Sequence, residues 1–307
     1  MQVLPDRYVS LINNLELLAR QVVEGFLIGL HKSPFHGFSV EFSEHRLYNP
    51  GESTRHIDWR VFARTDRLYT KKYEEETNLR CQLVLDCSSS MYFPEDDQKS
   101  VRKIDFSVMS AAAIMYLLRR QRDAFSLATF SDQLSYTSET RSGLVHYRQL
   151  LARLAQLRNK PSGRMQSAAA AALHELADKI HRRSLVVIFT DFLENMDPRG
   201  IDALFSALQH LRHNKHEVIV FFVADYPREV WLEYDNRPYR FVDLESGEQV
   251  KVQPRQVQAV YQSSMQELLN ALRLRCAQYR VDLVEADISR GFEQVLLPFL
   301  VKRQKAN

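Results

Sequence analysis

The chain has 307 residues, 41 lysines and arginines against 38 aspartates and glutamates (net charge +3), with 45% apolar and 26% charged residues. That is the composition of a globular protein with enough apolar surface for a full core, in one large or two modest domains. The near-neutral balance gives no electrostatic case for nucleic acid, and apolar runs such as Val218 to Ala224 fall far short of the ~20 residues that span a bilayer.

In chain order, Val9, Ile12, Leu15, Leu18, Val22 and Phe26 recur every three or four residues and predict an amphipathic helix over 6–30, ended by Pro34 and Gly37. From Phe38 to Tyr73, aromatic and β-branched residues predict a small β-rich region with a turn at Asn49-Pro50-Gly51. Residues 1–77 thus read as an N-terminal segment and 78–303 as the main domain.

In the main domain, Leu83-Val84-Leu85 runs into Asp86, and Ile104, Val108, Met115 and Leu118 mark a helix. Residues 124–130 (AFSLATF) follow as a strand, then helices over 144–157 and 168–181. Leu185 to Phe189 runs into Thr190-Asp191, a helix near 199–213 comes next, then a strand over Val218 to Val223. Apolar runs of this length between helices predict strands covered on both faces, hence an α/β three-layer sandwich with a mostly parallel central sheet. Residues 239–242 and 249–252, joined across Ser246-Gly247-Glu248, predict an exposed β-hairpin inserted near 238–253. A helix over 256–279, a strand over Val281 to Val284 and a closing helix from Phe292 complete the chain.

Ligands of open α/β sheets bind beyond the carboxyl ends of the strands. Two of the strongest strands lead there into Asp86-Cys87-Ser88-Ser89-Ser90 and Thr190-Asp191, and Ser167 lies at the start of the alanine-rich helix. Two carboxylates with several hydroxyls suit a hard divalent cation, Mg²⁺ or alternatively Ca²⁺ or Mn²⁺, rather than zinc. If serines bind directly and the aspartates act through water, the ion keeps a strong positive charge and a position open to an incoming carboxylate. The chain contains no GxxxxGK[ST], GxGxxG or HExxH motif, so nucleotide-binding and zinc-protease readings have nothing to stand on.

Asp86-x-Ser88-x-Ser90 after a buried strand resembles the metal-ion-dependent adhesion site of von Willebrand factor A domains. The resemblance implies Ser88 and Ser90 as direct ligands, Asp86 and Asp191 as water-mediated ones, and Ser167 at a position where that family more often has threonine. Arg46-x-Tyr48-x-Pro50-Gly51-Glu52, Arg55-x-Ile57-Asp58-Trp59-Arg60, Ala63-Arg64, Leu68-Tyr69 and Glu75 are similar to the family known as domain of unknown function fifty-eight. In that family such a block precedes a von Willebrand A-type fold. Members typically accompany MoxR-type AAA+ ATPases, which implies a non-enzymatic, chaperone-like adaptor that works with such an ATPase on a client protein.

Simpler readings stand beside these. Asp86, Ser88 and Ser90 could form an ordinary polar turn, leaving a purely structural interaction protein without metal, and Ser167 could be a helix N-cap. The stretch around Arg55, Trp59 and Arg64 offers cations with stacking faces but fits packing better. His210, His213 and His216 fit a solvated helix end better than a metal site. As an enzyme, the chain would be a Mg²⁺-dependent phosphohydrolase attacking through Asp86, although Ser88 stands where a second carboxylate is usual. Cys81, Cys87 and Cys276 form no CxxC pair, the sequence holds no N-x-[ST] sequon and no secretory signal is visible, which together point to a reducing cytoplasm.

Overall fold

A computed structural model describes residues 15–31, 45–47, 62–64, 66, 68–71, 79–94, 101–160, 163, 165, 167–192 and 198–306. The chain divides into two compact units, one of Met1–Glu24 with Leu79–Asn307 and one of Gly25–Asn78. In the smaller unit, β1 (His45–Leu47) pairs antiparallel with β2 (Tyr69–Lys71), placing Arg46 opposite Thr70. The turn at Asn49-Pro50-Gly51, the helix-ending Pro34 and Gly37, and the cluster from Arg55 to Arg60 lie outside the described residues.

The first helix, α1, runs Leu15–His31; Val9 and Ile12 fall outside the described residues. Its buried residues are Leu15, Leu18, Ala19, Val23 and Phe26, whereas Val22 is only partly covered. The core-facing stripe therefore passes through Val23 and not Val22. A step of four from Ala19 keeps Val23 on the apolar face of a 3.6-residue repeat.

The larger unit is built on a six-stranded sheet in the order β10-β7-β6-β3-β4-β5. Its strands are β3 (Arg80–Asp86), β4 (Ala124–Phe130), β5 (Leu134–Thr137), β6 (Leu185–Thr190), β7 (Glu217–Ala224) and β10 (Asp282–Asp287). All neighbours pair parallel except β4 with β5, which is antiparallel. β5 escaped the sequence reading because LSYT is short and only half-covered, with little apolar content.

Among the described residues, this sheet is flanked by α2 (Lys103–Arg120), α3 (Leu144–Leu157), α4 (Ala169–Lys179), α5 (Pro198–His213), α6 (Pro254–Gln278) and α7 (Glu293–Ala306). Successive side chains on a strand point to opposite faces. Val84, Val186, Ile188, Val218, Val220 and Phe222 pack in one cluster with α4, α5 and α6. The alternate residues serve the other face, where Phe189 stacks on Phe221 at 5.0 Å and Phe106 of α2 stacks on Phe292 at 5.1 Å. The result is a mixed α/β sandwich with a mostly parallel central sheet. Both faces of β6 are buried along its full length, as a parallel strand between helix layers requires. Complete burial of each such Val, Leu, Ile or Phe contributes about 1.5–3 kcal/mol.

Between β7 and α6 the alternation breaks into a π-helical turn (Tyr226–Val230) and a hairpin of β8 (Tyr239–Val242) and β9 (Gln249–Val252). Among the described residues no helix is long and apolar enough to cross a membrane. Cys81, Cys87 and Cys276 are buried and form no disulfide with one another.

Candidate cation and carboxylate site

Strand β3 is followed in sequence by β4 on one side, and the chain then returns to place β6 on the other. A reversal of this kind opens a crevice at the carboxyl ends of the strands. The register sets Leu85 beside Phe189, so Asp86 ends β3 level with Thr190 at the end of β6.

Asp86 is fully buried. Its Oδ1 accepts from the Ser88 backbone N–H at 2.9 Å, and its Oδ2 accepts from the Thr190 hydroxyl at 2.8 Å and, in a longer contact, from the Ser167 hydroxyl at 3.4 Å. Thr190 in turn accepts from the Phe192 N–H at 3.2 Å, where the backbone takes the left-handed φ of 52°. A phenylalanine held there is a local strain of the kind found at functional sites. Burial, then the charge of Asp191, raises the Asp86 pKa to about 7, against the pull of its hydrogen bonds.

Beyond β3 the chain enters a single 3₁₀ turn, Ser89–Tyr92, and Ser88 Oγ lies 3.1 Å from Ser90 Oγ. The segment bearing Ser167 is tied to this turn and to the end of β4. The Met165 N–H donates to Ser89 Oγ, the Ser89 N–H to the Met165 carbonyl, and the Ala168 N–H to the Ser131 carbonyl. Those bonds carry Ser167 onto Asp86. Ser167 does not cap α4, because Ala168 holds that position with no side-chain capping bond.

Asp191 lies one residue past β6, and its Oδ2 accepts from Lys103 Nζ at 2.7 Å. The same ammonium reaches Glu229 Oε1 in the π-helical turn at 2.5 Å. Burial works against the charge of Lys103, but Asp191 and Glu229 outweigh it and hold the pKa above its ordinary value. Glu229 also anchors its own turn by accepting from the Asp225 N–H at 2.8 Å. From the hairpin, Glu245 Oε2 accepts from the Ser167 N–H at 3.2 Å, and Ser90 lines the same cavity as its carboxylate. Burial pushes the Glu245 carboxyl up, Ser90 opposes this, and the charge of Asp191 adds to it.

Asp86, Ser88, Ser90 and Ser167 therefore meet around one crevice, with Asp191 held beside them through Lys103. Lys103, Glu229 and Glu245 were missed from sequence. Lys103 opens an otherwise apolar helix face, which is a faint signal. Glu229 carries none, and Glu245 sits beside a hairpin turn that reads as exposed. His210, His213 and His216 do not converge. His210 Nδ1 lies 3.2 Å from His174 Nδ1, while His216 is buried beyond the end of α5 and accepts from the Ser184 N–H through Nδ1 at 3.2 Å.

The crevice can be tested for fit to a divalent cation. The 3.1 Å between the two serine hydroxyls matches the roughly 3 Å separating neighbouring oxygens of an octahedral Mg²⁺ shell. The carboxylates of Asp86, Asp191, Glu229 and Glu245 outnumber the ammonium of Lys103, and such an excess favours a cation. Among the described residues no three histidine, cysteine or carboxylate side chains are arranged to hold a metal ion, so a cation here would depend on hydroxyls as much as on charge. On spacing and charge, the residues fit.

The family described as "Protein of unknown function DUF58" matches residues 44–268. The chain belongs to that family. The DUF58 match takes in β1 through most of α6, and with it every residue of the crevice. "Uncharacterized protein Mb1516" of Mycobacterium bovis is 29% identical over 242 residues, covering 78% of this chain and 72% of the relative. Among solved structures, "conserved hypothetical protein BatB" from Bacteroides thetaiotaomicron is similar at a TM-score of 0.45 and 13% identity, over 74% of this chain and 98% of that one. An "aerotolerance-related membrane protein" from Bacteroides fragilis gives a TM-score of 0.46 and 13% identity, over 74% and 99%.

Proposed function

We propose that this DUF58 protein is a non-enzymatic interaction module of von Willebrand factor A type, with residues 78–303 as the module. Its crevice would hold Mg²⁺ through Ser88 and Ser90, with Ser167 as a third hydroxyl and Asp86 and Asp191 acting through water. The observation that carries this reading is the hydrogen-bonded set of Asp86, Ser88, Ser90 and Ser167 at the switch point of the sheet. When bound, the cation supplies an electrophilic position for a partner's carboxylate. The protein's own residues preorganise that position. Asp86 is fixed by three donors, Thr190 ties the two strand ends together, and Lys103 holds Asp191 in place. The buried, thrice-bonded Asp86 is poorly placed as a nucleophile, which favours binding over phosphoryl transfer. The partner in this reading is a MoxR-type AAA+ ATPase in the cytoplasm, acting with the module on a client protein.

A ligand that binds only the folded state raises its melting temperature. Mg²⁺ is expected to raise that of the wild type and to leave Asp86→Ala unchanged, and a MoxR-type ATPase is expected to be captured by wild type in Mg²⁺ but not in EDTA. A full Mg²⁺ effect retained in Asp86→Ala would remove the site assignment.

A further inference from the structure

The turn between β8 and β9 is built as a rigid tip. Asp243 accepts from the Glu245 N–H at 2.9 Å and from the Ser246 hydroxyl at 2.5 Å, and its backbone closes the turn with Gly247 and Glu248. Gly247 takes a φ of 79°, which glycine adopts without strain. At the base of the hairpin, Tyr234 meets both Tyr239 and Phe241 at 5.1 Å. The tip brings Glu245 beside Ser90 and onto the Ser167 N–H, two of the residues assigned above to the cation. Behind it lies a cavity of about 700 Å³, lined by Ser90, Glu229, Tyr234, Phe241, Leu244 and Tyr261 among others. Two strands of four residues, with Val242 and Val250 exposed, make a hairpin of marginal intrinsic stability, so lifting its tip costs little.

We propose that Glu245 is a built-in occupant of the crevice, holding the place of a partner's carboxylate. The partner segment that displaces it carries an acidic side chain next to an apolar one, as Leu244-Glu245 does, and seats the apolar group in the cavity. The charge and shape of the chain's own tip identify this chemistry: one carboxylate on a backbone N–H beside Ser90, with an aliphatic neighbour in an aromatic-lined cavity. The inference rests on the cation reading above and adds to it a closed resting state.

Mn²⁺ titrations of the whole chain, followed by the EPR signal of the free ion, test this with millimolar N-acetyl-Leu-Glu-amide or N-acetyl-Leu-Gln-amide as probes. Wild type is expected to bind Mn²⁺ identically with and without either dipeptide. Glu245→Ala and the isosteric Glu245→Gln are expected to bind about fivefold more weakly or worse, with affinity restored by the acidic dipeptide and not by its amide analogue. Asp86-dependent Mn²⁺ binding that neither Glu245 variant nor dipeptide alters would overturn the inference and leave the cation site standing. Wild-type binding that is absent, or unchanged in Asp86→Ala, would overturn both.

Discussion

Lys103 is a lysine with no solvent exposure, held between Asp191, 2% exposed, and Glu229, 15% exposed. A buried charge survives only if it is paired, and removing one partner strands the others. Lys103→Met is therefore expected to destabilise the protein by about 3–5 kcal/mol, measured by urea denaturation, with part of the loss recovered by adding Glu229→Gln. A change within about 0.5 kcal/mol, the range of ordinary surface substitutions, would show that the ion pair is not formed. Asp86 and Asp191 were legible in sequence because each lies at or next to a strand end, and short spacing joins Ser88 and Ser90 to Asp86. Lys103 and Glu229 lie 126 positions apart and meet only through the folded topology, which no local pattern reports. Ser167 precedes the alanine-rich helix, but its hydroxyl goes to Asp86, the work of long-range bonds at Met165 and Ala168.

At the level of elements, periodicity foretold most of the larger unit. The helix expected over 144–157 is Leu144–Leu157, and the strand expected over 124–130 is Ala124–Phe130. The final strand was placed early, at Val281 to Val284, whereas pairing with β7 runs from Asp282 to Asp287. Partner strands, more than local hydrophobicity, set where a strand ends. On α5, Leu204, Leu208 and Leu211 are buried in the core cluster, the spacing of a helix's inner stripe. Leu208→Ala is expected to cost about 2–5 kcal/mol through the cavity it leaves, whereas Val260→Ala on the 72% exposed outer face of α6 is expected to stay within about 0.5 kcal/mol. Equal losses in the two variants would contradict the assigned faces. The hairpin was expected as an exposed ornament, but its tip is half-covered because Glu245 turns back onto Ser90 and Ser167.

For the whole molecule, the sheet order places the ends of β3 and β6 side by side, and the excursions after β3, β4, β6 and β7 all return side chains to that rim. Ser88, Ser90 and Lys103 follow β3, Ser167 follows β4, Asp191 follows β6, and Glu229 and Glu245 follow β7. The architecture thus concentrates carboxylates where burial makes them costly, and hydroxyls and an ammonium where they ease that cost. The property that decides its function is whether this concentration selects a divalent ion. The most direct measurement is calorimetric titration of Mg²⁺ into wild type and into Ser88→Ala/Ser90→Ala, which removes two hydroxyls and alters no charge. Saturable binding to wild type, weakened at least about tenfold in the double variant, is the result expected; equal affinity in both proteins, or none in wild type, would contradict it.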